Sequence, residues 1–135
     1  MLRIQVGPFT FMARLEVDKA PSTCAAIRKL LPFRSKIVHA RWSGEATWIP
    51  MGDMEVGVGH ENATSHPAPG ELLLYPGGVS ETEILFPYGA SRFASKVGQL
   101  AGNHFATVQD GRERMAELGR LALWEGAQDI LIEEA

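Results

Sequence analysis

Twice within its first eighteen residues the chain alternates apolar and polar side chains with a period of two. Leu2, Ile4 and Val6 alternate with Arg3 and Gln5; Phe9, Phe11, Ala13, Leu15 and Val17 alternate with Thr10, Met12, Arg14, Glu16 and Asp18. This is the spacing of a half-buried strand. Gly7-Pro8 offers a turn between the runs, so they read as an antiparallel hairpin with one face inward.

Ser22 or Thr23 can cap a short helix that follows. Its apolar stripe is Ala25, Ala26, Ile27, Leu30 and Leu31; Arg28 and Lys29 suit its C-terminal end, and Pro32 stops it. Residues 36–42 and 45–51 read as strands about Ser43-Gly44, the first with Ile37, His39 and Arg41 on one face. Residues 52–70, rich in Gly, His, Asn and Pro, read as an irregular excursion. A strand over 72–75 runs into Pro76-Gly77, which fits the centre of a type II turn. Residues 81–86 alternate again, with Glu81, Glu83 and Leu85 on one face and Thr82, Ile84 and Phe86 on the other. A strand over 103–109 precedes Asp110 and Glu113, an acidic capping-box variant for a second helix with Met115, Leu118 and Ala122 at core spacing. Ile130 and Ile132 belong to a closing strand. Many short strands with one early and one late helix predict a mainly β fold: a closed antiparallel barrel whose helices cap its ends.

At 135 residues the chain reads as one domain, 1–135, and needs no covalent staple to hold a core. Its single cysteine, Cys24, excludes an intrachain disulfide and suits a reducing compartment. Net charge is -3 and no basic run occurs, so nucleic acid is not an expected partner. No stretch approaches the ~20 apolar residues that span a bilayer, and the N-terminus lacks a signal peptide's apolar core. A cytoplasmic protein without a membrane partner is expected.

Several phrases resemble cyclophilin. Residues 15–23, with acid-Lys-apolar-Pro-x-Thr in Asp18-Lys19-Ala20-Pro21-Ser22-Thr23, resemble the approach to the first cyclophilin helix. His39-Ala40-Arg41 is similar to its Phe-His-Arg strand. Residues 70–74 and 81–86 resemble its Gly-x-Leu-Ser-Met segment and Ser-Gln-Phe-Phe strand, and Gly102-Asn103-His104-Phe105 resembles the segment before its second helix. Trp42-Ser43-Gly44-Glu45, Tyr75-Pro76-Gly77-Gly78 and Gly102-Asn103-His104-Phe105 look most like an uncharacterised group of bacterial cyclophilin-like proteins. The resemblance implies a cyclophilin-like barrel. It sets Arg41 in the place of the catalytic arginine and His104 in that of a histidine lining the proline pocket. Glu83, or Glu81, replaces the glutamine that holds the substrate backbone, exchanging an amide for an anion that only accepts. The rim tryptophan has no clear counterpart, and the chain is shorter than a typical cyclophilin.

The candidate catalytic set is therefore Arg41, Glu83 and His104. Arg41 offers a fixed fork of donors for a carboxylate or carbonyl oxygen. Glu81 and Glu83, if crowded, can raise one another's pKa, although alternating acids on a strand are more often a solvated face. His104 can shuttle a proton near neutral pH; on one strand face with Ala106 and Val108 it is more simply a hydrogen-bonded core histidine. Trp42, Trp48, Tyr75, Glu81 and Phe105 complete a candidate ligand-binding set. His60, Glu61 and His66 match no compact metal motif, Cys24 has no clear base partner, and no metal or cofactor is expected. These residues point to a domain that binds a small molecule or short peptide in a groove, its reaction unassigned. A divergent prolyl isomerase and an interaction subunit without a ligand site are the alternatives, and pairing into a homo-oligomer is compatible with each.

Overall fold

The computed structural model describes all 135 residues. The N-terminal hairpin forms as its alternation requires: β1 (Leu2–Val6) pairs antiparallel with β2 (Phe9–Leu15), Val6 opposite Phe9 and Leu2 opposite Ala13. The even-numbered apolar residues of β1 and the odd-numbered ones of β2 are buried. Val17 lies beyond the strand and is exposed. Helix α1 (Pro21–Leu30) follows, then β3 (Phe33–His39), β4 (Gly44–Pro50), the two-residue β5 (Ala63–Thr64), β6 (Glu71–Tyr75) and β7 (Glu83–Ser91). A small hairpin of β8 (Ala94–Ser95) and β9 (Gly98–Gln99) leads to β10 (Gly102–Asp110), helix α2 (Met115–Glu125) and β11 (Gln128–Glu134).

Eight of these strands close into an antiparallel barrel in the order β2-β1-β11-β3-β4-β7-β6-β10, with β10 returning to β2; β5 adds to β10. Closure leaves the barrel without a free edge. Because every pairing is antiparallel, β2 ends and β3 begins at one mouth of the barrel, where α1 connects them. β10 ends and β11 begins at the other mouth, where α2 connects them. Cys24 and Ile27 of α1 and Met115 and Leu118 of α2 share one apolar core with the inward side chains of the strands. The two helices cap the ends.

The helix ends differ from what local sequence suggests. Helix α1 starts at Pro21, whose fixed φ suits the first turn, and neither Ser22 nor Thr23 serves as the N-cap residue. Its free amides are met instead by Glu61 of the 52–70 excursion: Thr23 N–H donates to Glu61 Oε1 at 2.8 Å and Ser22 N–H to Oε2 at 3.3 Å. The Thr23 hydroxyl adds a third bond at 2.8 Å. The Thr23 backbone amide, foremost among these donors, holds the Glu61 carboxyl below the usual carboxylate range. Asp110 and Glu113 do not form a capping box either. Asp110 ends β10, and Gly111, at φ 94°, turns the chain into a 3-10 turn over Arg112–Arg114 before α2 begins at Met115.

Asn103 ties this end of the barrel together. Fully buried on β10, it donates to Thr23 Oγ1 at 3.1 Å and to the Gly59 carbonyl at 2.8 Å, and accepts from Glu61 N–H at 3.0 Å. One side chain thus fixes α1, β10 and the excursion. Asn103→Ala strands the Gly59 carbonyl and the Glu61 amide, and is expected to cost about 2–4 kcal/mol in urea unfolding. A loss of only a few tenths would mean that water replaces the amide freely.

Candidate functional site

The wall of the barrel made by β4, β7 and β6 is covered on both sides. Inside, Ile49, Ile84 and Phe86 join the core. Outside, Ala46, Leu73 and Leu85 pack with Tyr75, Phe93 and Leu100 into a second apolar cluster, the last two supplied by the segment that carries the β8–β9 hairpin. Trp48 sits opposite Leu85 across β4 and β7 and borders this cluster. Strand β7 therefore buries consecutive residues from Glu83 to Pro87, where a strand with one wet face would alternate. Glu83, expected on a solvated face, is drawn under with Leu85 and is 6% exposed.

A cleft of about 170 Å³ opens at the margin of the cluster. The β3–β4 turn contributes Arg41, Trp42 and Ser43 and β4 contributes Trp48. The other walls are Glu81 with Ser80, Glu83 with Leu85, and the β8–β9 hairpin with Ser95 and Lys96. The turn is held from two sides. Ser43, 2% exposed, donates its hydroxyl to the Ala94 carbonyl at 2.9 Å and accepts from Ala94 N–H at 3.1 Å; its own carbonyl accepts from the Ser91 hydroxyl at 2.7 Å. On the other side His39 lies 2.8 Å from the Ala40 carbonyl through Nδ1 and 2.7 Å from the Tyr88 hydroxyl through Nε2. A carbonyl can only accept, so Nδ1 carries a proton; in the neutral ring Nε2 then accepts from Tyr88. Strand β3 ends at His39, so Arg41 projects from a turn and not from a strand face shared with Ile37, which is in the core.

Arg41 is exposed, with its guanidinium 5.5 Å from the centre of the Trp42 ring, and it pairs with no carboxylate. Lys96 is likewise exposed and unpaired. Glu81 precedes β7 and is spent in part on the Gly52 amide, which donates to Oε2 at 3.0 Å. The Glu83 carboxyl hydrogen-bonds to no protein group, yet neither of its oxygens is sealed from solvent without a partner, so it borders the cleft. Burial, with the charge of Glu81 adding to it, pushes the Glu83 carboxyl up to about 8. At neutral pH it is a neutral acid that can donate as well as accept, not the accept-only anion its side-chain type suggests. The cleft thus presents two unpaired cations, the Glu81 carboxylate, an aromatic wall and an uncharged carboxylic acid.

Of the candidate residues, Arg41, Trp42, Trp48, Glu81 and Glu83 come together here; three others do not. Tyr75 is buried, edge-on to Phe93 at 5.9 Å, and its hydroxyl accepts from the Val79 and Ser80 amides at 3.1 and 3.3 Å, anchoring the loop that leads to Glu81. Phe105 lies in the barrel core. His104 does not share a face with Ala106 and Val108. The pairing of β10 with β6 slips between His104 and Ala106, and this bulge turns both Phe105 and Ala106 inward. His104 instead joins a separate network: its Nε2 lies 2.7 Å from Thr107 Oγ1, which donates to Glu16 at 3.1 Å. Burial raises the Glu16 carboxyl, but the hydrogen bonds from Arg14 and Thr107 outweigh it and hold that group below its ordinary value. Lys96 and Ser43 line the cleft without any sequence pattern that marks them as site residues. Ser43 was legible only as part of a turn, and nothing in the order of residues 92–100 signals that the hairpin folds back over β7.

No curated protein matches the sequence. Among solved structures the chain is similar to McbB in complex with tryptophan, with TM-score 0.73, 19% identity, all of this chain and 46% of that one covered. The chain thus spans less than half the length of that neighbour. It is similar to the hypothetical protein AF2241 from Archaeoglobus fulgidus, with TM-score 0.66, 20% identity and coverage of 99% and 93%. It is also similar to a cyclophilin-type peptidyl-prolyl cis-trans isomerase of Cryptosporidium parvum in the presence of the dipeptide Ala-Pro, with TM-score 0.58, 12% identity and 99% of each chain covered. At these identities the likeness is one of fold, a cyclophilin-like barrel. Residues 2–133 match the model described as Protein of unknown function (DUF3830), and the chain belongs to that family.

Proposed function

We propose that this protein binds a small molecule or short peptide in the cleft on the outer barrel wall, through a carboxylate or carbonyl oxygen of the ligand. The observation that carries the reading is the co-location of a buried, unpartnered Glu83 carboxyl with an unpaired Arg41. The Glu83 carboxyl has no protein partner and meets solvent at the cleft, so a ligand oxygen can take the place of water there. Arg41 and Lys96 supply the positive charge, Trp42 and Trp48 the flat apolar surface, and protonated Glu83 a donor toward the same oxygen.

The isomerase alternative keeps Arg41 but not His104, which stands in another network. A subunit without a ligand site calls for a groove plugged by its own side chains, and the cleft is open.

Amino-acid-sized carboxylates are the first probes, and the ligands of two structures of similar fold, tryptophan and Ala-Pro, supply the panel. Titration of N-acetyltryptophan and Ala-Pro, read by tryptophan fluorescence and calorimetry, is expected to give binding that weakens about tenfold or more in Arg41→Ala, as for loss of a charge-assisted hydrogen bond. Equal affinity for wild type and variant, or no binding across the panel at millimolar concentration, contradicts the reading. Acceleration in a protease-free prolyl isomerisation assay that Arg41→Ala abolishes would favour the isomerase instead.

Glu83 also leaves a signature in stability. Its pKa is near 4.5 when unfolded and about 8 when folded, so between these values the native state holds the extra proton and stability falls as pH rises. The slope from this group is at most about 1.4 kcal/mol per pH unit. Glu83→Gln keeps the shape and removes the titration. The variant is expected to gain on wild type progressively from about pH 5 and to level off above about pH 8, measured by urea unfolding across pH. A constant difference would mean that Glu83 is already ionised in the native protein.

A further inference from the structure

A second, shallower recess adjoins the first at Trp42. It has a volume of about 540 Å³ and is bordered by Trp42, Ser43, His66, Ser91 and Arg92, so Trp42 and Ser43 form a wall common to both. Trp42 is 53% exposed, a large apolar ring standing between two hollows with Arg41 against it. Arg92, like Arg41 and Lys96, is exposed and pairs with no carboxylate. Three unpaired cations thus share one surface of a protein whose net charge is -3. The carboxylates lining the two hollows are Glu81, partly engaged by the Gly52 amide, and Glu83.

The size of the first hollow matters. Its 170 Å³ is below the roughly 300–1,000 Å³ of pockets that enclose a drug-sized ligand, so by itself it takes a group of amino-acid size. A larger ligand can leave over Trp42 into the second hollow, or past Ser80 and Glu81 into a recess of about 490 Å³ whose carboxylates, Asp53, Glu55 and Glu81, repel an acidic chain.

We propose that the two hollows form one continuous groove for an extended acidic peptide segment, which crosses Trp42 and sets carboxylates against Arg41 and Lys96 on one side and Arg92 on the other. This rests on the cleft being a ligand site, and it adds the class of partner and its path. Guanidinium groups hold carboxylates in a fixed fork, and an exposed indole flanked by cations is the kind of anchor that extended partners cover. A single-stranded nucleic acid could also stack on Trp42. Single strands are held by bases stacked in succession on several aromatic rings, and Trp42 is the one exposed tryptophan, tyrosine or phenylalanine ring lining the two hollows, which favours the peptide.

The test uses three fluorescein-labelled probes in fluorescence anisotropy at low salt: a hexapeptide alternating Glu and Ala, the same peptide with Lys for Glu, and an octamer of deoxythymidylate. N-acetylglutamate serves as a ligand confined to the first hollow. The acidic hexapeptide is expected to bind and the basic one not. Arg92→Gln should weaken the hexapeptide about threefold or more while leaving N-acetylglutamate unchanged, whereas Arg41→Gln should weaken both. Both substitutions are at exposed side chains that carry no hydrogen bond of the fold. N-acetylglutamate binding that depends on Arg41, together with hexapeptide binding indifferent to Arg92, overturns the groove but leaves the first hollow as a site. Failure of both acidic ligands overturns the groove, and failure of N-acetyltryptophan and Ala-Pro as well overturns the ligand site itself. Tighter binding of the deoxythymidylate octamer, reduced by Arg92→Gln, replaces the peptide with a nucleic acid.

Discussion

The outer cluster of Leu73, Leu85, Phe93 and Leu100, with Tyr75 and Ala46, is the contact on which the rest of the surface chemistry depends. A barrel needs only its inner face to fold. Here the chain spends residues 92–100 on covering part of the outer face as well, which turns one stretch of β7 into a strand buried on both sides. That second layer does three things at once. It holds the β3–β4 turn through Ser43 and the backbone of Ala94, brings Lys96 to the wall opposite Arg41, and takes Glu83 out of water. The low-dielectric surround then keeps the acid neutral, with the nearby charge of Glu81 working in the same direction.

The electrostatic character of the site follows from that burial. Were Glu83 ionised, it and Glu81 together would balance Arg41 and Lys96. As a neutral acid it leaves the cleft one positive charge in excess and contributes a donor of its own. The replacement of a glutamine by a glutamate, as the cyclophilin resemblance has it, is then smaller than it looks. A protonated carboxyl and a primary amide both donate and both accept. Likeness at 12–20% identity shows the fold, and what the cleft can bind follows from the chemistry of this chain's own residues.

The barrel was largely legible in the order of residues because period-two alternation reports directly which face is buried. The hairpin of Leu2–Val6 and Phe9–Leu15, the strand at Leu72–Tyr75 and the late helix with Met115, Leu118 and Ala122 all follow from it. Three kinds of feature were not legible. Capping by a distant side chain, as Glu61 caps α1 from the excursion, leaves no local pattern. A bulge, as at Phe105, removes His104 from the face that simple alternation assigns it. Coverage of an outer face shows as an apolar residue on the polar side of a strand, and Leu85 next to Glu83 was that signal. It sat within an otherwise ordinary alternation, so Glu83 read as solvated. Arg41, Trp42, Trp48, Glu81 and Glu83, singled out in the sequence, line one cleft, while Lys96 reaches it only through the fold of the β8–β9 hairpin.

The central claim is that Glu83 is a neutral acid at the edge of an open cleft. Its most direct test is a titration of the Glu83 side-chain carboxyl carbon by NMR in ¹³C-labelled protein, assigned by comparison with Glu83→Gln. The account gives a midpoint of about 8, moved downward when Glu81 is replaced by Gln. A midpoint near the ordinary 4.5 would show that water or a cation reaches the carboxylate in the native state, and the cleft would then be electrostatically balanced rather than cationic.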